Sequence, residues 1–90
     1  MSGPRLRHHP ESLWRYSLRG VLVCPPGTDE SQLVSRPADA VWTLLDEPIS
    51  IDELVEVLAP AFGAPADQVH HDVTALVDRL LELGAVEQVD

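Results

Sequence analysis

Hydrophobic and polar positions change their period partway along the chain. From Leu13 to Leu18 they alternate, with Trp14, Tyr16 and Leu18 on one side and Arg15 and Ser17 on the other. A period of two predicts a half-buried strand. Arg19-Gly20 supplies a turn, and the β-branched run Val21-Leu22-Val23-Cys24 predicts a second strand pairing back on the first. Pro25 to Glu30 reads as a loop, and Gln32-Leu33-Val34 as a short third strand. Beyond Ser35 the period lengthens to that of helices.

The first helix is expected near Pro37, with Ala38, Val41, Trp42 and Leu45 as its apolar stripe. Ser50-Ile51-Asp52-Glu53 is a capping box, in which Ser50 and Glu53 each satisfy the other's free N–H. The second helix carries Ile51, Leu54, Val55, Leu58 and Phe62 on one face, and Gly63 closes it. Pro60 is expected to end its regular ladder near Ala59 or to kink its last turn. A third helix runs from about Pro65 to Leu83, with Gly84 as its stop. Val69, Val73, Leu76, Leu80 and Leu83 point inward. Val77 and Leu81, with His70 and Thr74, widen that stripe on one side. Asp72, Ala75 and Arg79 form the opposite flank, which is polar or small. Ala85-Val86 is a short extended end.

Three strands followed by three helices predict an α+β domain. It is winged helix-turn-helix-like, with a three-stranded antiparallel sheet. Residues 1–12 are polar, with two prolines and a histidine pair, and are expected to be a flexible tail ahead of a domain at residues 13–90.

Charge divides the chain in two. Residues 1–36 hold five arginines against three acids (+2), and residues 37–90 hold one arginine against twelve acids (−11), which together give the net −9. A helical half this acidic repels phosphate backbones, so nucleic acid is a poor partner. No apolar run approaches the roughly 18 residues of a membrane helix. Cys24 is the only cysteine, which excludes an internal disulfide, and a reducing cytoplasm is the expected compartment.

Candidates for chemistry are few. Adjacent histidines on a helix point about 100° apart and do not share an ion. His8-His9 and His70-His71 therefore read as tail and surface residues, and no metal or cofactor is expected. Cys24 reads as a buried structural thiol. No nucleophile elbow or phosphate loop occurs, so no enzymatic activity is expected.

From Leu22 to Val86 the chain resembles the PqqD family, the peptide-recognition domains of ribosomally made, modified peptides. The likeness rests on the strand Val21 to Val23 and on Ala38-x-x-Val41-Trp42-x-Leu44-Leu45-Asp46. It continues through Ser50-Ile51-x-Glu53-Leu54, Phe62-Gly63 and Val69-x-x-Asp72-Val73-x-x-Leu76-Val77-x-x-Leu80-x-x-x-Gly84. The chain departs from the family at Val34-Ser35, where Leu-Asn is usual, and at Asp46-Glu47, where Asp-Gly is usual. It also has Ala64 where an acidic N-cap often precedes the third helix. The resemblance implies a non-catalytic peptide chaperone that binds the leader segment of a precursor peptide. The leader would lie as an added strand on the third strand, beside the third helix. It would be presented to a modifying enzyme such as a radical-SAM enzyme, a cyclase or a leader peptidase. The expected contacts are Gln32, Leu33 and Val34 from the strand, and Val77 and Leu81 as an apolar wall with His70 and Thr74 beside them. Arg15, Arg19 and Arg36 are placed to steer an acidic leader. A winged-helix DNA-binding protein and a structural protein-interaction adaptor are the alternatives. The first needs basic residues on the third helix, where Arg79 stands against Asp67, Asp72, Asp78 and Glu82.

Overall fold

The computed structural model describes residues 3–89. Along the chain run β1 (Arg5–His8), β2 (Leu13–Ser17), β3 (Gly20–Cys24), β4 (Gln32–Ser35), α1 (Asp39–Leu44), β5 (Ile49–Ser50), α2 (Ile51–Phe62), α3 (Ala66–Glu82) and β6 (Val86–Val89). The predicted α+β order is present, with the expected antiparallel sheet β2-β3-β4 and the three helices.

A second antiparallel sheet, in the order β5-β1-β6, is an addition to that expectation. Its central strand is Arg5–His8, which composition assigns to a flexible tail. Only Leu6 of these four residues is apolar, so no alternation marks the strand. Pairing creates it instead: β1 bonds β5 on one side and β6 on the other. Leu6 is 2% exposed in the core, and Arg7 forms an ion pair with its register partner Glu87 (2.8 Å). Beyond β1, His9 N–H and Ser12 Oγ–H of the expected tail both donate to the Ala85 carbonyl (2.9 Å each), and only Met1 and Ser2 of that tail lie outside the described residues.

In the β2-β3-β4 sheet, Val21, Val23 and Val34 face inward and are buried, whereas Leu13, Leu22 and Leu33 lie on the outer face. Leu18 is not in β2. It sits in the turn and is 92% exposed. Gly20 is irreplaceable by geometry: at φ +145°, an added Cβ would lie 2.1 Å from the Val34 carbonyl oxygen. That close approach brings β4 onto β3. Cys24 is half-buried rather than buried, and its Sγ–H donates to the Thr28 carbonyl (3.2 Å).

The Ser50–Glu53 capping box is formed, with both bonds at 3.1 Å. Pro60 does not stop α2. It removes one N–H near the end, the helix continues to Phe62, and Gly63 closes it in the left-handed conformation. The N-cap of α3 is Pro65, not Ala64, and no side chain caps that end.

Trp42 is fully buried, as its place in the α1 stripe predicts. It also joins the two sheets. The His8 ring of β1 stacks on it at 3.8 Å, and Trp14 of β2 meets both rings edge-on. His8 is therefore a packing residue rather than a tail residue. Its Nε2–H donates to the Trp42 carbonyl (2.6 Å). Burial holds its pKa below the ordinary value near 6.5, outweighing the raising effects of that carbonyl and of Asp46. A depressed histidine pKa means that the fold favours the neutral ring. Stability is then complete above about pH 6.5 and falls as pH drops from there toward the folded-state pKa. Thermal melts between pH 7.5 and 5 are expected to show this decline in the wild type and a flatter profile in His8→Gln. Parallel profiles would assign the decline to other groups.

Candidate functional site

The register of β4 decides which of its backbone groups are free. Val21 is paired with Val34 and Val23 with Gln32, and Arg36 N–H donates to the Arg19 carbonyl (3.1 Å). Antiparallel ladders alternate hydrogen-bonded and non-bonded pairs. Val34 and Gln32 therefore direct their N–H and C=O groups to β3, while Leu33 and Ser35 direct theirs away from it. The sheet ends at β4, so these outward groups form an open edge.

α3 runs beside that edge. Arg79 Nη2–H donates to Gln32 Oε1 at 3.0 Å, bridging helix and strand. Leu76 and Asp72 lie about one and two turns toward the helix N-terminus on the same flank. The groove side of α3 is thus Asp72, Leu76 and Arg79, the flank that looks polar in the sequence.

Past Ser35 the groove meets a half-open cavity of about 330 Å³ between α1, the end of α2 and α3. Ala38 and Val41 line one wall, Phe62 and Ala64 the far end, and Val69, Val73 and Leu76 the other wall, with Gln68 and Asp72 also contributing. Phe62 belongs to the α2 stripe in sequence, but here it is 37% exposed and faces this cavity.

The expected contact residues separate into two groups. Gln32 and Leu33 lie on the open strand, half-buried and 38% exposed respectively. The Val34 side chain is in the core at 5% exposure. The four α3 residues lie elsewhere than expected. Val77 is 0% exposed, so its side chain is sealed from any guest. Leu81 borders a small cleft with Leu6, Ile51 and Gln88, which places it against β1, α2 and β6. His70 Nε2 lies 3.9 Å from Asp52 of α2. Thr74 shares a shallow depression with His70, and its buried Oγ1 has no hydrogen-bond partner among the described residues. All four belong to the flank away from β4. The wider apolar stripe of α3, at Val77 and Leu81, faces Leu6 of β1, Ile51 of α2 and Gln88 of β6. Sequence reasoning missed Leu76 and Arg79 as groove residues. Their one signal is an aliphatic residue set within an otherwise polar flank.

The PqqD family model, described as coenzyme PQQ synthesis protein D, matches residues 21–86, well over half of the chain. The chain belongs to the PqqD family. A solution NMR structure of the PqqD truncation of Methylobacterium extorquens PqqCD aligns with it at a TM-score of 0.78. That protein is described as a functional and stand-alone ribosomally synthesized and post-translational modified (RiPP) recognition element. The alignment covers 97% of this chain and 93% of that one at 15% identity, a likeness that shows the PqqD fold. A comparison with curated proteins gave no match. The PqqD match begins within β3, so β1 and β2 lie outside it. No helix among the described residues is long and apolar enough to cross a membrane.

Proposed function

We propose that this PqqD-family domain binds the leader segment of a ribosomally made precursor peptide and presents it to a peptide-modifying enzyme, without itself catalysing a reaction. The observation that carries this reading is the open edge of β4 beside α3. An extended peptide adds there as a fourth strand, bonding the outward groups of Leu33 and Ser35. Main-chain bonds give affinity, and the alternate side chains of the guest reach the α3 flank and the cavity, which give specificity. In this reading Gln32 and Leu33 contact the guest from the strand side. Val34 contributes its place in the ladder, and Leu76 takes the place of Val77 and Leu81 as the apolar wall. Family membership and the likeness to a solved recognition element support the peptide-binding role.

The test is an amide NMR titration with the leader of a precursor peptide encoded beside this chain's gene. Leu33 and Ser35 are expected to show the largest shifts and new protection from exchange. Shifts centred on His70 and Thr74, or none at all, would count against β4 as the docking edge.

A further inference from the structure

We infer that the groove selects peptides carrying a carboxylate two residues after an apolar anchor, with Arg79 as the residue that reads the carboxylate. This deepens the peptide-binding reading and rests on it. Arg79 is the only cation on α3, and its one described side-chain bond is to the neutral Gln32 amide (3.0 Å). Its guanidinium stands at the mouth of the groove with full charge and donors to spare, which suits a carboxylate. The aliphatic cavity at the other end suits an apolar side chain, and Asp72 on its rim disfavours an acidic residue there.

The order of the two features follows from direction. β4 passes from Gln32, beside Arg79, to Ser35, two residues before Pro37 of the cavity lining. A guest paired antiparallel, the slightly more stable arrangement, runs the opposite way and meets the cavity first and Arg79 second. The spacing follows from rise. The cavity rim between Asp72 and Leu76 lies about 7.5 Å along the helix from Arg79, at about 1.5 Å per residue. Residues i and i+2 of a strand share a face and are about 6.8 Å apart. The selected pattern is therefore apolar, any residue, then Asp or Glu.

The experiment is selection of a displayed library of random dodecapeptides on immobilised full-length wild type, Arg79→Glu and Arg79→Gln, with circular dichroism to confirm that each is folded. The wild type is expected to enrich the apolar-x-acidic pattern about tenfold over its apolar-x-basic counterpart. Arg79→Gln should lose the preference, and Arg79→Glu should reverse it. Synthetic peptides of the two patterns, titrated against each protein at low and high salt, should show the same crossover, diminished by salt. If all three proteins enrich the same sequences, Arg79 does not read charge and the inference fails, while peptide binding stands. If the wild type enriches no peptide, the inference and the peptide-binding reading fail together.

Discussion

Leu33→Pro is expected to weaken leader binding ten- to hundredfold while leaving the domain folded. Leu33 occupies a non-hydrogen-bonded pair opposite Leu22, so its N–H faces the open edge and takes no part in the β3–β4 ladder. Proline is tolerated on an edge strand at such a position. It restricts the preceding residue to extended backbone, which Gln32 already adopts in β4. What proline removes is a donor to the guest, and its ring occupies the space where the guest's carbonyl would sit. An unpaired buried carbonyl costs about 1–3 kcal/mol, which corresponds to the stated loss. Val34→Pro is the contrasting variant. Val34 turns its N–H toward β3, so that substitution breaks the ladder and disrupts the sheet itself. Calorimetric titration with the leader, alongside circular dichroism, separates the two. Unchanged affinity for Leu33→Pro would show that the guest does not pair with β4.

Trp42→Ala is expected to be the most damaging single substitution to stability. The indole is fully buried, stacked on His8 at 3.8 Å and edge-on to Trp14 at 6.1 Å, so it packs α1 against both sheets. Removing a buried tryptophan costs about 3–5 kcal/mol, against a total stability of about 5–15 kcal/mol for a domain. The melting temperature should fall by at least about 12 °C, at about 4–8 °C per kcal/mol for a domain of this size. Trp42→Phe should be much milder. It keeps most of the ring contact and removes the buried Nε1–H, which has no partner among the described residues. A wild-type melting temperature in Trp42→Ala would mean that the two sheets are held together elsewhere.

Elements marked by local pattern are where the sequence places them. The capping box at Ser50, the alternation of β2, the β-branched run of β3 and the glycine stop of α2 are examples. Each depends on contacts within a few residues. β1 and β6 carry no such mark, because their partners lie across the whole chain: Arg7 pairs with Glu87. A strand with one apolar residue in four takes its shape from neighbours rather than from its own periodicity.

The site shows the same division. The third strand is legible as an edge, and α3 is legible as its neighbour. Which flank of α3 faces that edge is not. Helical periodicity groups Val77 with Leu81, and Asp72 with Leu76 and Arg79, but it says nothing about what each group meets. The greasier flank looks like the groove until Leu6, Ile51 and Gln88, from three other elements, are seen beside it.

Alone, then, the sequence determined the order of β2 to β4 and of the three helices, most of the caps and turns, the uneven charge and the family of this protein, because these depend on residue type and on spacing along the chain. Tertiary structure alone decided that residues 5–8 complete a second sheet, that Val77 is core, and that Arg79 reaches the edge strand while Leu76 lines the adjoining cavity. Burial is a property of surfaces brought together from distant parts of the chain, and a helix with two amphipathic flanks can be turned to suit either one until its neighbours are in place.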